Sequence, residues 1–516
     1  MISYVTKTIS AENKIRGKLP LNVPRALSRV SQKLNFLEAF SLDLRSLALF
    51  RIGLGLVIIA DVFLRLRDLS AHYTDDGVLP VQSLMLPGVS YWPFNLAIWN
   101  GSLSYQVGIF TFILIFAILL SLGVVTRVAT FGCWFLLNCI AIRNPLVLYG
   151  ADNLIRLLLF WSLFLPLHEF FTVIQRPLRA PRAQPRRSIA SFASVAFILQ
   201  IIFVYFFSAL HKTGAEWRTE GSALEISLHI DSMVLPFGEF LRNFPGILKF
   251  LTFGVFYLEL LGPFLFIIPY RNTLFRLFAL ALFLPMHLGI ALTLNVQLFS
   301  WIDFVALAAL IPSEVWDFLE RGRYTPMKTV VEVRQAHVLT TSFVVVSLVA
   351  VFLWNVKTIV KSFPLGKGLE TYTTKLALDQ AWEMFAPFPT KEDGWYVIVG
   401  NRTDGGEVDV WRDGEPVNWD EPISIRKSYK NERWRKYFEY LQALHDARVI
   451  APFAKYLCNQ WNSRHSTAQQ HIGRLDAYFM KKKGADMPEK QIIKKLRWKY
   501  DCDFAGRARE SAPLKN

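Results

Sequence analysis

The chain has 516 residues, of which 53% are hydrophobic, 14% aromatic and only 19% charged, with a mean hydropathy of +0.29 and a net charge of +16. This balance excludes an ordinary large soluble enzyme and points to a polytopic membrane protein. The positive excess fits the basic flanks that membrane chains acquire and calls for no nucleic-acid partner.

Residues 1–40 form a basic tail without the short apolar core and small-residue cleavage site of a removable signal peptide. Lys7, Lys14, Arg16, Lys18, Arg25, Arg29 and Lys33 precede the first apolar run, and positive charge stays on the cytoplasmic side, so the N-terminus is expected there. Nine apolar runs then recur, at approximately 46–66, 105–125, 128–146, 151–171, 189–211, 248–268, 272–294, 298–317 and 337–360. Each is about as long as a bilayer crossing requires. The expected fold is an all-α polytopic bundle of about nine transmembrane helices. Two basic loops agree with the count. Arg176, Arg179, Arg182, Arg186 and Arg187 follow the fourth run, and Arg321, Arg323, Lys328 and Arg334 precede the ninth, whereas 68–104 holds no Lys or Arg.

A transmembrane domain over 41–320 is thus followed by a cytoplasmic loop and last span over 321–360 and an extracytoplasmic domain over 361–516. In that domain WYVIVG, EVDVW and PISI read as short strands between Pro and Gly turns, and from about 430 the pattern reads as helical. Lys481, Lys482, Lys483, Lys494, Lys495, Arg497 and Lys499 are expected on a solvated helix face, with anionic headgroups as the alternative contact. Cys133 and Cys139 lie in an apolar run and read as inert, while Cys458 and Cys502 would face an oxidising compartment and could pair.

Ionisable residues within spans are costly and therefore mark candidate sites. Asp61, Glu259 and Arg156 read first as structural ion pairs, and Arg51 and Asp303 stay open between structure and function. At the end of the fifth run, YFFSALHKTGAEW places His211, Lys212 and Glu216 together. By position alone Lys212 would snorkel to the headgroups. With His211 and Glu216 beside it, the lysine could instead serve as a general base. Other motifs are excluded. His168-Glu169 is followed by Thr172 where a zincin needs its second histidine, and no cysteine pair has zinc-ligand spacing, so no metal is expected.

Four segments, LALFRIGLGLVIIAD, LVLYGADNL, IIFVYFFSALHKTGAEW and NVQLFSWIDF, resemble in order those of the HTTM domain, a membrane module related to the vitamin K-dependent γ-glutamyl carboxylases. The resemblance covers about 40–320. It implies a reduced isoprenoid quinone as cofactor, O₂ and CO₂ as co-substrates, and a protein or peptide substrate. By motif, Lys212 matches the family's initiating base. Glu216 and His211 would support it, and Arg51, Tyr149, His287 and Gln297 would line the cofactor. One departure is Pro145, which stands where the carboxylase has a histidine.

Two functions follow as expectations. One is a hydroquinone- and oxygen-dependent carboxylase- or oxidase-like enzyme, and the other is a non-enzymatic lipid-binding or partner-scaffold protein that keeps the fold. A secondary transporter ranks below both, since no repeated half is evident. The expected location is the inner membrane of a bacterium, in contact with membrane lipids.

Overall fold

The computed structural model describes residues 36–84, 94–173, 187–320, 331–334, 336–444, 446–483 and 491–502. The basic tail before residue 36, Arg176, Arg179, Arg182, Arg186, Arg321, Arg323 and Lys328 lie outside the described residues, as does the side chain of Lys483.

Nine helices account for the apolar runs: α1 Leu44–Leu66, α2 Leu103–Leu122, α3 Thr126–Arg143, α4 Gly150–Ser162, α5 Phe192–His211, α6 Pro245–Leu261, α7 Asn272–Thr293, α8 Phe299–Ala308 and α9 Val338–Ile359. Among the described residues, six are long and apolar enough to cross a membrane: α1, α2, α5, α7, α9, and α6 with its 3₁₀ continuation to Ile267. The other three have 18, 13 and 10 residues. At 1.5 Å per residue α8 rises only about 15 Å, half of a hydrocarbon core. Such a helix survives at membrane depth by lying inside protein, and in α8 Ile302, Asp303, Ala306 and Leu307 are all buried.

A small sheet fixes which helix ends share a face. β1 (Ser41–Asp43) pairs antiparallel with β2 (Ser188–Ala190), which pairs parallel with β3 (Val331–Val333). These strands lead into α1, α5 and α9, so all three helices begin at one end of the bundle. Asp43 caps α1 by accepting from the Arg45 amide at 2.7 Å. Arg276, in the first turns of α7, donates to the carbonyls of Ala39 and Ser41 at 2.9 Å each. Arg45 reaches Asp317, beyond α8, at 3.0 Å. The start of α7 and the end of α8 therefore lie at this same face.

The C-terminal domain carries a four-stranded antiparallel sheet in the order β5-β4-β6-β7, built from β4 Glu392–Arg402, β5 Glu407–Asp409, β6 Ile472–Lys483 and β7 Gln491–Asp501. WYVIVG falls within β4 and EVD of EVDVW forms β5, but PISI leads into a short helix, Ile425–Ser428. The basic end is a correction to the helical reading, because it folds as the β6–β7 hairpin. Leu475, Ala477 and Phe479 alternate toward the core with period two, which is a strand signal that the run of lysines after them obscures. Lys482 is tied to Asp231 at 2.5 Å and to Glu421 at 2.6 Å. Helices α10 (Glu432–Leu444) and α11 (Ala447–Arg464) pack against the sheet, and Cys458 on α11 is disulfide-bonded to Cys502 after β7.

Candidate functional site

Helix α5 is apolar along nearly its whole length and ends at His211, with Lys212 as its C-cap. Lys212 does not snorkel. It is 2% exposed and its ammonium is ion-paired with Glu259 of α6. It also donates to Ser208 Oγ, one turn back, at 3.0 Å and lies 4.8 Å from the centre of the Trp217 ring. The lysine is thus held by a carboxylate, a hydroxyl and an aromatic face, all away from lipid.

The two residues expected beside Lys212 turn elsewhere. His211 Nε2 lies 3.0 Å from Thr358 Oγ1 of α9. Glu216 pairs at 3.1 Å with Lys391, just before β4. Successive helical positions differ by about 100° around the axis, so His211 and Lys212 cannot share a face, whereas Lys212 and Ser208 can.

Beside this pair lies a second buried polar group. His287 of α7 has Nε2 at 2.8 Å from the Tyr205 hydroxyl of α5 and Nδ1 at 3.6 Å from Asp303 Oδ2 of α8. Tyr205 and Lys212 stand two turns apart at the same end of α5, which sets the two groups side by side along one helix face. Aromatic rings close around it: Phe283 stands 4.4 Å from Tyr205, and Phe299 and Phe304 stand 6.4 and 6.2 Å from His287. His287 Nδ1, Asp303 Oδ2, Ser300 Oγ and Gln297 Oε1 are buried without a hydrogen-bond partner. Buried polar atoms are rarely left so, and these four all lie on α7, α8 and the loop between them. Gln297 sits in that loop with φ +47.

Tyr149 and Arg51 lie apart from the cluster. The Tyr149 ring lies under Arg433, with 4.9 Å from guanidinium carbon to ring centre, at the head of α4. A Cβ added at the next residue, Gly150, would stand 3.0 Å from Phe299, so the head of α4 is pressed against that of α8. Arg51 belongs to the opposite end, where it donates to the carbonyls of Leu167 and Phe171 at 2.7 Å each and of Phe170 at 3.1 Å. About 30 Å of α5 separates that end from Lys212.

A further charged cluster joins the membrane bundle to the C-terminal domain. Arg433 of α10 is 2% exposed and donates to Asp61 of α1 at 2.5 Å, to Asp152 of α4 at 3.2 Å and to the Val147 carbonyl at 2.9 Å. Arg65 bonds to Asp61 at 2.7 Å and pairs with Asp152. Burial works against the Arg433 charge, but Asp152 and Asp61 hold its pKa well above the usual value. Trp434 and Asn431 grip Asp68 at 2.9 and 2.6 Å. Sequence reading missed Arg433, which sits in RWRKYFEY, a stretch that reads as the wet face of an amphipathic helix.

The match to known families follows these elements. The model of the HTTM domain matches residues 41–316, from the first strand to just beyond α8. The chain belongs to the HTTM domain family. The family domain thus contains Lys212, Glu259, Tyr205, His287 and Asp303, while Arg433, Lys391 and the β-sheet of the C-terminal domain lie beyond it. No curated protein and no solved structure matches the chain.

Proposed function

We propose that this HTTM-family chain is a membrane enzyme in which Lys212 acts as general base on a hydroxyl delivered from the membrane, in a carboxylase- or hydroquinone-oxidase-like reaction. The observation that carries this reading is the burial of Lys212 against Glu259 beside the Tyr205–His287–Asp303 group. For the amine to work as a base, its ammonium must first lose a proton, and Glu259 Oε2 is the adjacent acceptor. The neutral Nζ then takes the proton of the bound hydroxyl while Ser208 Oγ and the Trp217 ring keep it in place.

The orphaned atoms of His287, Gln297, Ser300 and Asp303 fit a ligand that presents hydroxyl groups within an aromatic wall. Those four residues would hold a reduced isoprenoid quinone. When bound, such a cofactor would supply the oxygen chemistry, with CO₂ as a further co-substrate in a carboxylation. Tyr149 would stand at the edge of this site through the contact of α4 with Phe299, and Arg51 would brace the far end of the bundle. His211 and Glu216 would act from outside, fixing α9 and the C-terminal domain over the lysine.

A nine-crossing topology supports the same picture. With α1, α5 and α9 beginning at one face, the proposed count has α3 and α4 leave and return and the short α8 bring the chain back. The last crossing then delivers the C-terminal domain to the outer face, where a disulfide is stable. Pairing of Lys212 with Glu259 also suits the non-enzymatic scaffold, in which intramembrane charges serve only to hold helices. Purification in mild detergent with extraction and mass spectrometry separates the two. A retained quinone in the wild type that is lost in His287→Phe is expected. A wild-type preparation that neither retains nor takes up added quinone would remove the cofactor from the account.

A further inference from the structure

A cleft of about 260 Å³, lined by none of the residues of the Lys212 cluster, opens between the membrane domain and the C-terminal domain. Ser232 and Asn295 line one wall, from the loops before α6 and after α7, and Arg426, Lys427 and Lys430 line the other. These three cations have no ion-paired carboxylate among the described residues. Arg435 and Glu432, which also line the cleft, neutralise one another at 2.5 Å. Lys430 is instead steered by aromatic faces, at 4.5 Å from the centre of Trp411 and 5.8 Å from that of Trp434. Arg426 Nε is buried without a hydrogen-bond partner.

Three uncompensated cations in one concave site, one of them a guanidinium with an unused inner donor, are the charge pattern that recognises an anion. A single carboxylate would leave two charges unanswered. A phosphate monoester carries about −1.5 to −2 and several strong acceptors, which answers most of them, and the Asn295 amide supplies a neutral donor opposite. We propose that this cleft binds a phosphate group, borne either by a membrane lipid or by a soluble phosphate ester. The site is shared between two domains, so its ligand bridges them. The loop that contributes Asn295 continues to Gln297, which makes the cleft the polar neighbour of the buried cluster without requiring any chemistry there.

The test uses the purified full chain in detergent, titrated with inorganic phosphate at constant ionic strength with chloride as control, and read by calorimetry and thermal shift. Saturable phosphate binding is expected, weakened at least tenfold in Lys427→Gln and in Arg426→Gln. Lys427 is exposed, so its variant tests the site without disturbing the fold. Incorporation into nanodiscs of phosphatidic acid, compared with phosphatidylcholine, identifies the source. Loss of phosphate binding in the phosphatidic acid discs alone supports a lipid ligand, and equal binding in both supports a soluble one. Phosphate responses no greater than those to chloride, or wild-type affinity in both variants, would overturn the proposal.

Discussion

Lys212 and Glu259, 47 residues apart in the chain, meet as a buried ion pair between α5 and α6. Removing one partner strands the other charge, at a cost of about 3–5 kcal/mol, whereas replacing both with apolar side chains is often neutral. Glu259→Ala should therefore lower the thermal midpoint strongly, while Lys212→Met with Glu259→Leu should restore most of it. A loss in the double variant equal to the sum of the two single-variant losses would mean that the pair is not energetically coupled.

Arg433 should matter as much for the union of the two domains. Without it, Asp61 and Asp152 share only Arg65, and a buried negative charge is left uncompensated. Arg433→Ala is expected to cost about 3–5 kcal/mol and to expose the 361–516 region to limited proteolysis. Arg433→Lys should rescue little, since one ammonium cannot reproduce bonds to two carboxylates and a carbonyl. Protease resistance equal to wild type in the alanine variant would refute the clamp.

The same interface should be sensitive to acid. The ring of His72, beyond the end of α1, packs at 4.3 Å against that of Trp434 with the planes tilted by 49°, and neither of its nitrogens has a hydrogen-bond partner. Burial, with Arg433 and Arg65 adding to it, holds its pKa down to about 3, against about 6.5 in an unfolded chain. Between those values the folded protein binds fewer protons than the unfolded one, so stability is present above pH 6.5 and declines as the pH falls below it. His72→Phe keeps the ring contact and should flatten the fall in thermal midpoint between about pH 7 and pH 5. An unchanged slope would assign the acid sensitivity to other groups.

Much of this architecture could be read from sequence, for identifiable reasons. The long runs of α1, α5 and α9 announce themselves because a membrane span must satisfy its backbone internally and be apolar throughout. Lys212 stood out because it ends such a run. Its partner did not, because Glu259 is one intramembrane acid among several and sequence carries no distance. Chain proximity suggested His211 and Glu216 instead, but helix geometry turns His211 away and Glu216, beyond the end of α5, pairs with Lys391. Arg433 was illegible for a related reason, as its bond to Asp61 spans 372 residues and nothing local separates a buried arginine from the exposed Arg448. The β6–β7 hairpin was misread because its lysines masked the alternation of Leu475, Ala477 and Phe479.

Orientation can be checked through the disulfide. If residues after 361 face an oxidising compartment, Cys458 and Cys502 should resist thiol labelling until reduced, and a reporter fused beyond Lys361 should read as extracytoplasmic. Cys458→Ser should cost about 2–5 kcal/mol, as for disulfides that close long loops. Free, labelled thiols at both positions in the unreduced protein would reverse the assigned side.

The central claim is that Lys212 acts by giving up and taking a proton, and oxygen-dependent consumption of an added hydroquinone by Lys212→Arg tests it most directly. Arginine keeps the charge and can keep the ion pair with Glu259, but does not release its proton at physiological pH. A folded, membrane-inserted variant whose turnover is abolished is the expected result, with Lys212→Ala equally inactive and partly rescued by a small added amine. Wild-type consumption by the arginine variant would contradict the account and leave Lys212 as half of a structural ion pair.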